Sequence, residues 1–126
     1  MNERLAFTIT RKDWLVGEPS SQSRLYRSAD GKKCCLGFAA LASGYSVQEI
    51  RDRPSPYSVI SHHPGLPLKK GIFPRLVDWN GSLPITGDLM DVNDETIYSE
   101  GMTIVERECR ISWLFASIDV DVEFKD

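Results

Sequence analysis

The sequence lacks any apolar run that approaches the roughly 18 residues of a membrane-spanning helix. Its opening segment, MNERLAFTIT, contains an acidic residue and has no long apolar core, so it does not match a secretory signal peptide. Cysteine is scarce: Cys34, Cys35 and Cys109 are odd in number and two are adjacent, unlike a secreted disulfide framework. These absences predict a protein of the cytoplasm with reduced thiols.

Common enzyme signatures are also missing. The chain contains no glycine-rich phosphate loop, no GxSxG, no HExxH and no kinase-like set of motifs. Its net charge of −3 argues against binding to duplex DNA, where affinity comes mostly from Lys and Arg neutralising phosphates. We therefore expect a non-enzymatic protein with no catalytic residues, no cofactor, no metal and no direct contact with duplex nucleic acid or membrane.

Length and composition predict one globular domain over residues 1–126. A chain of 126 residues can bury roughly two thirds of its unfolded surface around a single core. Its 41% hydrophobic and 26% charged residues are typical of ordinary globular proteins.

Two segments alternate apolar and polar residues with a period of two and predict amphipathic strands, at residues 4–9 and 119–124. An extended segment from Leu25 to the turn at Asp30-Gly31 supplies a third, central strand. The expected fold class is α+β: a small antiparallel sheet of N-terminal, C-terminal and central strands, packed with several short helices and one longer C-terminal helix. The first and last strands are expected to be neighbours.

Helical spacing and capping patterns predict the remaining elements. The most apolar helix spans Cys34–Ser43, and Ser46 with Glu49 forms a capping-box pattern for the next one. Further helices are predicted at residues 13–16, 73–79 and 100–117. Residues 53–70 contain four prolines and are predicted to be a largely irregular loop.

Cys34 and Cys35, together with His62 and His63, supply ligand types that zinc accepts. Structural zinc sites, however, space their cysteines by about two to four residues, whereas adjacent residues on a helix point about 100° apart. We therefore interpret both cysteines as small buried residues of the core helix, neither metal ligands nor nucleophiles.

An acidic segment between residues 87 and 95 offers a different kind of site. Its carboxylates could hold a hard cation, but the segment lacks the central glycine and final glutamate of an EF-hand loop. The simplest interpretation is a solvated loop. The alternative is a patch, beside the apolar residues Leu83, Ile85 and Met90, that competes for a basic surface on a partner. The predicted partner-binding residues are Asp88, Asp91, Asp94, Glu95 and Trp79.

Several short motifs together resemble a family of small phage and prophage proteins. Those proteins typically show an early tryptophan and glycine, a CCLG block, an LP-x-x-V-x-x-W-type turn and an ND pair before the last helix. The residues that carry the resemblance are Trp14, Gly17, the segment from Leu25 to Asp30-Gly31, Cys34-Cys35-Leu36-Gly37, Phe73-Pro74, Val77, Trp79, Leu89 and Asn93-Asp94. The resemblance implies a mobile-element origin and hence the cytoplasm of a bacterial host.

The leading expectation for function is a stoichiometric inhibitor of a host protein or complex, which binds the basic surface that the host protein uses to hold nucleic acid. An anti-CRISPR or other anti-defence protein is the sharpest form of this hypothesis, and it is based on analogy with other small acidic phage proteins. Two alternatives stay open. One is a small metal-dependent hydrolase or nuclease that uses the acidic residues with His62 or His63, and the other is a phage structural or assembly protein. The oligomeric state is not predicted.

Overall fold

A computed structural model describes residues 4–15, 24–62, 71–78, 81–93 and 101–126. The helices of this part of the chain are α1 (Cys35–Ala42), α2 (Val47–Ile50), α3 (Pro56–His62), α4 (Pro84–Asn93) and α5 (Ile104–Ala116). Its strands are β1 (Leu5–Thr10), β2 (Val77–Asp78), β3 (Gly81–Ser82) and β4 (Val120–Lys125). None of the helices in these ranges combines the length and apolarity needed to cross a membrane.

The first and last strands pair with each other, as predicted, but the prediction of an antiparallel sheet is wrong. β1 and β4 run parallel, in a register from Leu5 opposite Val120 to Thr10 opposite Lys125. The alternating residues Phe7, Ile9 and Val120 are buried, so the period of two identified the inner face correctly. Strand direction could not be read from that period, because the chain connecting β1 to β4 is long enough for either orientation.

The predicted central strand is also wrong. Tyr26 forms only an isolated parallel bridge with Arg51, and β2 pairs with β3 in a separate antiparallel ladder. The turn at Asp30-Gly31 is confirmed, with Gly31 at a φ of +74°. There the Arg27 guanidinium and the Lys32 backbone N–H hydrogen-bond to the Asp30 carboxylate and lower its pKa to about 2.

The apolar and capping patterns located three helices well. α1 lies within the predicted range and is buried from Cys35 to Ala40. α2 begins with the predicted capping box of Ser46 and Glu49, and α5 begins with a second one, formed by Thr103 and Glu106.

Other segments differ from the prediction. In place of a helix at 13–16, whose last residue lies outside the described part, there is a 3-10 turn at Arg11–Asp13. In place of a helix at 73–79 there is a 3-10 turn at Phe73–Arg75 followed by β2. α3 lies within the loop predicted at residues 53–70, and α4 begins before the acidic segment that was predicted as a loop and continues to Asn93. Both helices begin at a proline, which suits the first helical turn because that position needs no N–H donor.

Gly37 allows α1 to pack directly against the backbone of residues 24–25. An added Cβ at this position would lie 1.8 Å from the Leu25 carbonyl oxygen, well inside any permitted contact. The approach is held by a hydrogen bond from the Cys34 N–H to the Arg24 carbonyl, 3.0 Å long. Glycine is therefore required at the fourth position of the CCLG block for a steric reason.

We predict that Gly37→Ala and Gly87→Ala have opposite effects on stability. Both residues are helical, but a Cβ at Gly37 meets fixed backbone of another segment, whereas one at Gly87 meets no atom beyond its chain neighbours and its own helix backbone within 4 Å. Gly37→Ala should cost about 3 kcal/mol or more, and Gly87→Ala should stabilise by about 0.5–1 kcal/mol through helix propensity. Urea unfolding followed by circular dichroism measures both, and equal effects of the two changes would contradict the packing described here.

Candidate protein-binding site

Helix α4 places two of the predicted partner-binding residues on its outer side. Asp88, which is exposed, and Asp91, which is half-buried, are three residues apart, so their side chains lie next to each other on the helix surface. The opposite side of α4 is buried through Thr86, Leu89 and Val92. The described part of the acidic segment, residues 87–93, is therefore helical with a polar outer face, and the prediction of a solvated loop is wrong for these residues.

A groove separates α4 from α5, and both aspartates line it. Its volume is about 550 Å³, and it is open to solvent on one side. Helix α5 contributes the Arg110 guanidinium, the Trp113 indole and the apolar Leu114 side chain. The groove therefore combines charged walls with an apolar floor. The α4–α5 groove is lined by Asp88, Asp91, Val92, Met102, Arg110, Trp113 and Leu114.

Helix α5, which forms one wall of the groove, carries exposed apolar side chains. Trp113 is 63% exposed and Val105 is 71% exposed, although both belong to a well-formed helix. The Arg110 guanidinium lies over the Trp113 ring, 5.8 Å from its centroid. Large apolar side chains that stay in water on a helix are a recurrent feature of protein interaction sites.

Asn93, the last residue of α4, fixes this helix against the rest of the molecule. Its buried side-chain oxygen accepts hydrogen bonds from Trp14 Nε1 at 2.8 Å and from the Cys35 backbone N–H at 3.0 Å. Its side-chain nitrogen donates to the Leu15 carbonyl at 3.0 Å. The Asn93 carbonyl accepts from the buried Arg107 of α5 at 3.2 Å, so both walls of the groove are tied to one point.

No protein-family model, no curated protein and no solved structure matches this chain. Trp14, Cys35 of the CCLG block and Asn93 of the ND pair nevertheless have a common structural role. The Trp14 indole and the Cys35 backbone N–H both donate hydrogen bonds to the Asn93 side chain.

The structure brings together Asp88 and Asp91, whereas Trp79, Asp94 and Glu95 lie outside the described residues. The neighbouring Ile85 and Met90 are partly buried against the core. Cys34 and Cys35 are buried in the core, as predicted. His63 and the side chain of His62 are outside the described part, and within that part no three His, Cys, Asp or Glu side chains are grouped as metal ligands would be.

The α5 side of the groove was not predicted from the sequence. The sequence predicts an apolar face for the C-terminal helix from Ile104, Ile111, Leu114, Phe115 and Ile118, and a polar face from Glu106, Arg107 and Arg110. The apolar face is confirmed for Ile111, Leu114 and Phe115, which are buried, but Ile104 is 49% exposed and Arg107 is buried, so the prediction is wrong at these two positions. Trp113 falls outside that face, on the polar side that also carries Arg110. A tryptophan on the polar side of an amphipathic helix was the available signal.

We predict that Trp113→Ala changes the free energy of unfolding by no more than about 0.5 kcal/mol, because the indole is mostly in water. The matched control is Phe115→Ala, two residues further along α5, where a fully buried ring is lost at a cost of about 3–5 kcal/mol. Chemical denaturation of both variants gives the comparison. A large loss of stability for Trp113→Ala would mean that the indole is part of the core.

Asn93→Ala should destabilise the protein by about 3 kcal/mol or more, because it removes hydrogen-bond partners of Trp14, Cys35 and Leu15 inside the core. Asp88→Ala on the exposed side of the same helix is the control, with an expected change within about 0.5 kcal/mol. Thermal and urea unfolding measure both variants, and similar stabilities would refute the role given to Asn93.

Proposed function

We propose that this chain is a non-enzymatic protein-binding module that uses the α4–α5 groove to dock a basic surface of a partner. The observation that supports this most is the pairing of Asp88 and Asp91 beside the exposed indole of Trp113 in one open groove. Carboxylates attract a cationic surface and raise its rate of association, while the indole supplies apolar contact area.

The proposed partner is a host protein complex that handles nucleic acid, and the proposed mode of action is stoichiometric inhibition. Such complexes carry Lys and Arg where they hold phosphates, and the two carboxylates of the groove, which outnumber its one guanidinium, are complementary to that surface. The net charge of −3 favours the same partner class. The resemblance to small phage proteins supports a mobile-element origin and an anti-defence role, of which an anti-CRISPR protein is the most specific form.

The test of this function is an affinity pull-down of the tagged protein from bacterial lysate, with and without nuclease and EDTA, analysed by mass spectrometry. A protein partner present at one-to-one stoichiometry and insensitive to both treatments is the expected result. Loss of the partner with nuclease would indicate binding through nucleic acid. Metal-dependent turnover without any partner would replace the proposal with an enzyme.

The contribution of Asp88 and Asp91 to partner binding is tested by charge reversal. Asp88→Lys with Asp91→Lys should weaken partner binding by about tenfold or more and lower its association rate, because two attractive contacts become repulsive. The control with the same change in net charge is Glu123→Lys with Asp126→Lys, at exposed positions of the C-terminal segment. Equal losses of partner binding in the two variants at physiological salt would show that binding depends on the net charge of the protein and not on the groove.

A further inference from the structure

Three residues form a continuous exposed stripe along the outer side of α5. Val105, Cys109 and Trp113 recur every four residues, so their side chains follow one another along the helix surface. We call these three residues the α5 stripe. With Glu106 and Arg110 they line a shallow depression of about 450 Å³. Arg110 and Trp113 separate this depression from the α4–α5 groove, whereas Val105 and Cys109 belong to the depression alone.

The α5 stripe is symmetric in a way that suits a second copy of itself. Cys109 is its centre, and Val105 and Trp113 each lie four residues from it. If a second α5 packs antiparallel about a two-fold axis at Cys109, Trp113 meets Val105 of the partner subunit. The same contact is repeated on the other side of the axis. The exposed Trp113 indole would thereby pack against the exposed Val105 side chain, twice.

The charges beside the stripe are complementary under the same two-fold operation. Glu106 and Arg110 lie on one side of the stripe, and an antiparallel two-fold pair brings the same sides of the two helices together. Glu106 is three residues before the centre and Arg110 is one after it. With a rise of about 1.5 Å per residue, Glu106 lies only about 3 Å along the axis from Arg110 of the partner subunit. Each Glu106 then lies close to an Arg110 across the interface, once on each side of the two-fold axis.

We propose that the α5 stripe is a two-fold interface between copies of this chain. The occupant is a second copy because both the apolar pattern and the flanking charges are complementary to themselves. Three side chains cover much less than the roughly 800 Å² per partner of a standard interface, so the dimer is weak and forms in the micromolar range. This proposal goes beyond the proposed function and does not depend on it, because it concerns the purified protein alone.

The first experiment is sedimentation velocity of the reduced protein from about 1 µM to about 300 µM, the range in which a small interface associates. The expected result is a monomer–dimer equilibrium that Val105→Ala weakens by about tenfold. Ile104→Ala is the matched control: Ile104 is adjacent and 49% exposed but lies off the stripe, so its loss should leave the equilibrium unchanged. A monomer at every concentration would overturn the proposal, as would equal effects of the two variants.

Charge reversal distinguishes this geometry from any other dimer. Glu106→Arg places two arginines together across the interface, and Arg110→Glu places two glutamates together, so each variant alone should be monomeric at low salt. An equimolar mixture of the two should dimerise again, because every cross-subunit pair in the heterodimer is then of opposite charge. Repulsion within each helix persists in the mixture, so recovery can come only from contacts between subunits. Failure of the mixture to recover would refute the antiparallel arrangement.

Cys109 provides an independent measurement at the proposed two-fold axis. Helices packed about 8–10 Å apart bring the two Cys109 Cα atoms into the range that a disulfide spans. Added diamide accepts two electrons and two protons from the two thiols as the S–S bond forms. A covalent dimer on a non-reducing gel, absent in Cys109→Ser, is expected, since Cys34 and Cys35 are buried. Failure to cross-link at concentrations where the dimer sediments would contradict an axis at Cys109.

Discussion

The buried side chain of Asn93 is the interaction on which the arrangement of the helices depends. A carboxamide has both an acceptor oxygen and a donor nitrogen, and here each is used inside the core. Its partners come from the segment after β1 and from the first residue of α1, and the Asn93 carbonyl adds Arg107 of α5. Because a buried polar group without partners is costly, this set of bonds permits only one position for the end of α4.

This attachment explains why α4 can carry an acidic outer face without loss of order. The helix is held through its buried side and its last residue, so its position does not depend on the exposed Asp88. The outer side of α4, which carries Asp88, faces the open groove, where a partner can reach it. Arg107 connects the same point to α5, which keeps the aspartates and Trp113 at a fixed separation. The proposed binding surface therefore requires no ordering of its own helices on association, which lowers the entropic cost of binding.

Short sequence patterns predicted the elements that depend mainly on neighbouring residues. Alternation located β1 and β4, and the Ser46–Glu49 capping box located α2. The direction of the strands and the absence of a central strand among the described residues depend on distant packing that no short pattern encodes. α4 was missed because Gly87 and its aspartates weaken helix propensity, and the burial of Leu89 and Val92 overrides that weakness. Only Asp88 and Asp91, the acidic side of the groove, were predicted from the sequence. Trp113 was missed because the packing of α5 beside α4 brings it to the groove, and sequence spacing does not show that packing.

The pairing of β1 with β4 also affects the order in which the protein can form during synthesis. The ion pair between Arg4 and Asp121, which flanks this sheet, joins residues 117 positions apart. At about 5–20 residues per second, a ribosome takes on the order of ten seconds to make the chain between them. Throughout that time β1 has no β4 to pair with, and Phe7 and Ile9 lack half of their sheet. β1 is therefore completed only after β4 has been made, and until then its apolar face depends on the helices for protection from aggregation.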